Sequence, residues 1–252
     1  MKILVTSPMR TGSTWVHEVL ASMIVPERVD YVSTVTEALT VLESCTSCVL
    51  KSHGLADSDI QTLRSKAHCI RVLRNYKDSL ISRALYCRNV RPAENEPNSP
   101  GEDALIRECA GMTDQQFANA FLTKCPFVQR WIDEIVIFER GTYDHTFYYE
   151  MLLHNPRDQF QAWVEKVGLQ SVVSVEAIQN ALDACSFRTM RKAKTPGFVG
   201  STGVGVWMHW LDESLSRDLD RLYFKQRDLV LANQIVRDSP AGPTNPNASN
   251  LD

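Results

Sequence analysis

Three short segments of the chain carry residue types able to do chemistry on an anion. The first is Ser7-Pro8-Met9-Arg10-Thr11-Gly12-Ser13-Thr14-Trp15, which follows an apolar run and opens an amphipathic one. It offers a cation, a glycine that admits close backbone approach, and hydroxyls where the unpaired N–H groups and dipole of a helix favour negative charge. The implied ligand is a phosphate, although a Ser/Thr-rich helix cap would look the same locally. The GxxxxGK[ST] pattern of ATP- and GTP-hydrolysing loops is absent: the residue five before Gly12 is Ser7, and no lysine follows Gly12. An ordinary nucleoside triphosphatase is therefore disfavoured.

The second segment is Lys51-Ser52-His53, at the end of another apolar run. In an open parallel sheet, ligands bind beyond the carboxyl ends of the strands, so residues just past two such ends can face one another. This brings His53 near the phosphate loop, where an imidazole with an ordinary pKa near 6.5 can act as a general base. The third is Arg71-Val72-Leu73-Arg74-Asn75-Tyr76-Lys77-Asp78-Ser79-Leu80-Ile81-Ser82-Arg83. Arg74 leaves a strand at the ligand edge, and Ser82 follows about two helical turns later. From Arg64 to Arg91 the only acid is Asp78, against eight Lys or Arg. Lys77, Arg88 and Arg91 read as a solvated basic face, whereas Arg74 with a nearby hydroxyl suits a second phosphate. Two phosphate sites on one sheet edge imply a nucleotide with two phosphate groups.

The elements that must position these residues follow from periodicity. Lys2 to Thr6, Cys48 to Lys51, Cys69 to Leu73 and Thr146 to Tyr149 read as short strands. Helical patterns follow each of them: from the phosphate loop through Met23, from Asp57 to about Lys66, through Leu80 and Leu85, and from Pro156 to Val167. Longer helices are expected from Thr113 to about Glu139 and from Trp207 to Ile235. Strands alternating with helices imply a parallel sheet covered on both faces, a three-layer α/β sandwich. Arg91 to Asp103, with three prolines, reads as a loop or lid. Residues 1–238 are expected to form one domain, and 239–252 a disordered tail.

Composition narrows the function classes. The 252 residues are 44% hydrophobic and 23% charged with a formal net charge of −3, an ordinary globular balance. A slightly acidic chain argues against bulk nucleic-acid binding, so an anionic ligand must be held by local clusters. No run approaches the ~18 to 20 apolar residues of a membrane span. The start of the chain lacks a signal-peptide pattern, so a cytoplasmic protein is expected. Seven cysteines, an odd number, argue for reduced thiols. Cys45-x-x-Cys48 has metal spacing, but no second such pair follows, and no metal is expected.

Taken in order, these segments resemble the motifs of the PAPS-dependent sulfotransferases, which use 3′-phosphoadenosine 5′-phosphosulfate (PAPS) and release the bisphosphate PAP. SPMRTGSTW resembles their 5′-phosphosulfate loop YPKSGTTW, KSH their KTH, and RVLRNYKDSLIS their 3′-phosphate motif ARNPKDVAVS. Phe147 to Met151 with Asn155-Pro156 is similar to LYYEDM…ENP, Cys185 to Met190 to TSFKEM, and Val199 to Trp207 to the frame of RKGxxGDW. The resemblance implies a P-loop-like sulfotransferase fold and sulfonate transfer to a hydroxyl or amine of a small-molecule acceptor, such as a natural product. It implies that Arg10, Thr11, Gly12, Ser13 and Thr14 hold the 5′-phosphosulfate. Trp15 would stack on adenine, and Tyr149, Cys185 and Phe187 would line the adenine site. Arg74 and Ser82, with Gly200, Ser201, Thr202 and Gly203, would bind the 3′-phosphate. Lys51 and Arg10 would meet the sulfonate, and His53 would be the base.

Three departures matter. Arg10 stands where the family has lysine; its fork can still grip the sulfonate, but it cannot donate a proton. Cys185 replaces threonine. Gly200-Ser201 replaces an Arg-Lys clamp on the 3′-phosphate, and removing a charge-assisted hydrogen bond costs about 1.5 to 3 kcal/mol. The cations Arg188, Arg191, Lys192 and Lys194, or the N–H groups of Gly200 to Gly205, are expected to replace it. Two competing functions remain: a kinase on a variant phosphate loop, which would need ATP and Mg²⁺, and a non-catalytic nucleotide binder. Acceptor identity and oligomeric state stay open.

Overall fold

The computed structural model describes residues 1–89, 98–186 and 204–238. Its centre is a five-stranded sheet of β1 (Lys2–Thr6), β2 (Arg28–Val32), β3 (Cys48–Ser52), β4 (His68–Leu73) and β5 (His145–Tyr148), in the order β2-β3-β1-β4-β5. Every pairing is parallel, as alternation of strand and helix predicts. In register, Thr6 lies beside Ser52 and Arg71, and Leu73 beside Tyr148. The carboxyl ends that precede the three chemical segments therefore share one edge. β1 is flanked by β3 and β4, so chain order reverses around it, which is where open sheets form a ligand crevice.

Side-chain alternation divides the core between the two faces of the sheet. Ile3, Val5, Val49, Ile70 and Val72 pack under α1 (Ser13–Ile24), α9 (Pro156–Lys166) and α10 (Val175–Ala184), with Val16, Leu20, Phe160 and Trp163 fully buried. Leu4, Cys48, Leu50 and Cys69 pack on the other face against α2 (Val35–Ser44) and α3 (Asp57–Arg64). A strand covered on both faces has no polar side, which explains the unbroken apolar run in β1. A third cluster joins α4 (Tyr76–Asn89) to α6 (Asp114–Lys124), α7 (Val128–Arg140), α11 (Trp207–Trp210) and α12 (Glu213–Asp238). Two further helices are α5 (Pro100–Glu108) and α8 (Tyr149–His154).

Several expectations need correction. The helical pattern from Thr113 to Glu139 is two helices, because Pro126 lacks an N–H and holds Cys125 in an extended conformation (φ −69°, ψ 120°). The pattern from Trp207 to Ile235 is likewise broken between Trp210 and Glu213. The lid ends early: Ser99 and Glu102 form a capping box with Pro100 at the first helical position, and this starts α5 inside the expected loop. β2 escapes sequence reading because it is a short, exposed edge strand with only Val32 buried; its alternating Val29 and Tyr31 are exposed. The expected tail 239–252 lies outside the described residues.

Candidate active site

The turn from β1 to α1 has an unusual backbone. Gly12 caps α1 with φ 95°, and Arg10 is also left-handed, with φ 69°. A non-glycine residue there costs roughly 1–2 kcal/mol, and the Arg10 carbonyl is held by the guanidinium of Arg74, whose Nη1 donates to it at 3.2 Å. Thr11 Oγ1 donates to the Pro8 carbonyl at 3.1 Å and closes the loop. No side chain caps α1 at Gly12, so its opening N–H groups face the loop. A Cβ on Gly12 would sit 2.5 Å from Cδ2 of Tyr149, which explains the glycine twice over. Gly12→Ala is expected to cost about 2–4 kcal/mol through overpacking and positive φ. An unchanged urea midpoint would refute that account.

Two of the expected cations converge on this loop. Arg74 is buried, at 6% exposure, with its guanidinium 4.5 Å over the ring of Tyr149. Burial lowers its pKa, an effect opposed by Tyr149 and by the carboxylates of Asp78 and Glu150. Glu150 Oε1 accepts from the Asn75 N–H at 2.9 Å and so fixes the chain just after Arg74. Arg10 Nε donates to Ser82 Oγ at 3.3 Å, and its guanidinium lies 4.8 Å over Tyr86. Ser82 thus touches the cation expected at the opposite end of the nucleotide. Lys51 Nζ donates to Thr14 Oγ1 at 2.7 Å, joining β3 to the first turn of α1.

His53 meets the same loop from β3. Its Nδ1 is 2.9 Å from the Ser7 carbonyl, which can only accept, so Nδ1 carries the proton and Nε2 the lone pair. Burial drives the imidazole pKa down to about 4, assisted by the charges of Lys51, Arg83 and Arg10 and opposed by the Ser7 carbonyl. Tyr31 flanks it, ring centroids 6.0 Å apart.

Trp15 and Cys185 are brought together: Trp15 Nε1 donates to the Cys185 carbonyl at 2.9 Å, and the indole sits edge-on to Phe160 at 6.2 Å. Trp15 is a core residue with 6% exposure. Thr14 is half-buried, and Ser13 is buried at 2%. Phe187, Gly200, Ser201, Thr202 and Gly203 lie outside the described residues, as do Arg91, Arg188, Arg191, Lys192 and Lys194.

The basic run contains a correction. Lys77 is not a solvated charge: it is 3% exposed, donates to Ser216 Oγ at 2.7 Å and Asp220 Oδ2 at 2.8 Å, and lies over Trp207 at 4.3 Å. Arg88 pairs with Asp114 and covers Phe117 at 4.4 Å. Sequence reading also passed over Asp78, a fully buried carboxylate that accepts from the N–H groups of Gly205 (2.8 Å) and Trp207 (3.1 Å). Its signal was its isolation among cations. Cys48 is buried and its thiol is pushed up to about 12, first by burial and then by its hydrogen bond to Cys45.

The model of the sulfotransferase domain matches residues 1–228. No curated protein matches the chain in sequence. Among solved structures the chain is similar to mouse sulfotransferase SULT7A1 complexed with PAP, with 17% identity and a TM-score of 0.62 over 95% of this chain and 89% of that one. It is similar to retinol dehydratase in complex with androsterone and inactive cofactor PAP (14% identity, TM-score 0.55, 96% and 82% covered). It is also similar to that protein in a complex with retinol and PAP (14%, 0.56, 89% and 80%). At such identities the likeness is one of fold, and it agrees with the P-loop-like α/β architecture expected from the sequence.

Proposed function

The chain belongs to the sulfotransferase family, and on that premise we propose that it transfers a sulfonate group from PAPS to a hydroxyl or amine of a small-molecule acceptor, releasing PAP. One observation carries the proposal: the Arg74 guanidinium bonds the Arg10 carbonyl at 3.2 Å, and the His53 imidazole bonds the Ser7 carbonyl of the same loop at 2.9 Å, so two cationic residues and an imidazole share one turn. The left-handed Gly12 and the uncapped start of α1 suit an anion there, as does the cationic surround.

In the proposed reaction His53 Nε2 takes the proton of the acceptor hydroxyl while its oxygen attacks sulfur. The bond between sulfur and the bridging oxygen breaks in line, and that oxygen leaves on the 5′-phosphate. Arg10 and Lys51 neutralise charge on the sulfuryl and bridging oxygens, and the N–H groups at the start of α1 assist. A phosphate leaving group is a stable anion, so charge stabilisation suffices where Arg10 cannot donate a proton. Arg74 would hold the 3′-phosphate, with Tyr149 under its guanidinium, whereas Ser82, expected at that end, is bonded to Arg10 instead. Residues 1–238 are taken as the catalytic domain.

The test is incubation with radiolabelled PAPS and a panel of phenols, alcohols and amines, including a hydroxysteroid and retinol because solved relatives hold androsterone or retinol. Labelled product that still forms in EDTA is expected. Failure to bind PAP, or turnover that requires ATP and Mg²⁺, would overturn the assignment in favour of phosphoryl transfer.

A further inference from the structure

Tyr86 and Ser82 stand four residues apart on α4, on one face of the helix and one turn from each other. Together they form a seat for Arg10. The Tyr86 ring supplies an aromatic face 4.8 Å below the guanidinium carbon, and Ser82 Oγ accepts from Nε at 3.3 Å. Tyr86 is 5% exposed, so the stacking is shielded from solvent. The Arg10 backbone is fixed as well, at φ 69° with its carbonyl bound to Arg74, and so the direction in which the side chain departs is set. A guanidinium can stack through its face and donate in its plane at once, whereas an ammonium is a point charge without a plane.

We infer that Tyr86 is a positioning residue for the cation of the phosphate loop: its ring orients the Arg10 guanidinium toward the 5′ end of the nucleotide and adapts this loop to arginine. This rests on the proposed function above, in which Arg10 grips that end. Ser82 secures the guanidinium by one edge, while Tyr86 limits rotation about the long side chain. An orientation held before binding lowers the ordering cost of capturing the anion.

The test is a double-mutant cycle read by calorimetry with two probes: PAP, which has a 5′-phosphate, and adenosine 3′-phosphate, which lacks one. Tyr86→Leu is expected to weaken PAP roughly tenfold and to leave adenosine 3′-phosphate within about twofold, because only the 5′ end is addressed by Arg10. In an Arg10→Met background the same Tyr86→Leu exchange is expected to change PAP affinity less than about twofold. Replacement of Tyr86 by a trifluorinated phenylalanine keeps the shape and weakens the ring quadrupole, so it tests the seat even where the leucine variant fails to fold. It should lose PAP affinity relative to Tyr86→Phe. Equal loss for both probes, persistence of the effect without Arg10, or indifference to fluorination would overturn the inference alone. A parent chain that binds no PAP would overturn the proposed function and this inference with it.

Discussion

His53→Ala is expected to lower turnover by about 10²- to 10⁴-fold, the usual worth of a positioned general base, while PAP affinity stays near that of the parent. The separation follows from the geometry. The imidazole donates to the Ser7 carbonyl through Nδ1, which leaves Nε2 as the basic nitrogen, and in the proposed function the anion contacts come from Arg10 and Arg74 rather than from His53. The pH dependence tests the same assignment. The imidazole pKa is lowered to about 4, first by burial and then by Lys51, Arg83 and Arg10. It is neutral at pH 7 and becomes protonated only as the pH falls through that value. A bound polyanion offsets the cations and raises the pKa, strengthening the base when it is needed. Since kcat/KM reports the free enzyme and kcat the complex, the acid limb of kcat/KM should lie at lower pH than that of kcat. Full turnover of His53→Ala, or coincident acid limbs, would remove His53 from the reaction.

The second large effect is expected from Arg74→Ala, which should weaken PAP by roughly 10²-fold and adenosine 5′-phosphate far less. A charge-assisted hydrogen bond is worth about 1.5–3 kcal/mol, and Arg74 is desolvated before the ligand arrives, so little further solvation is lost on binding. The substitution also withdraws the donor that holds the Arg10 carbonyl, which adds a smaller loss common to both nucleotides. Arg74→Lys should fall between the two, because it keeps a charge without the fork. Equal losses for the two nucleotides, measured by calorimetry, would refute a 3′-phosphate contact and leave Arg74 as a brace for the loop.

Much of the frame was legible in the chain itself. β1 coincides with the apolar run Lys2 to Thr6, and β3 and β4 fall within a residue of their expected bounds, because a strand buried on both faces leaves a local apolar signature; β5, an edge strand, was legible from its Phe147-Tyr148-Tyr149 aromatic run. The meeting of His53 with the phosphate loop followed from a rule about strand ends and needed no coordinates. β2 and α2 were not legible: in Arg28-Val29-Asp30-Tyr31-Val32 the charged residues interrupt the apolar ones, and only Val32 is buried. The break at Pro126 was written in the sequence and outweighed by helical periodicity on either side.

The roles of the cations divide differently. The basic run on α4 announces an anion site, yet composition cannot assign its members. Lys77 is committed to Asp220 and Asp78 to the Gly205 and Trp207 N–H groups, partners more than a hundred residues away in the chain. By itself the sequence determined the strand and helix periods, the order of the motifs and the chemistry on offer, because those depend on neighbours a few residues apart. Which charges are spent on the fold, and which guanidinium groups share the loop with an imidazole, was decided only when distant segments packed. A charge excluded from water takes its partner from whatever the fold brings beside it.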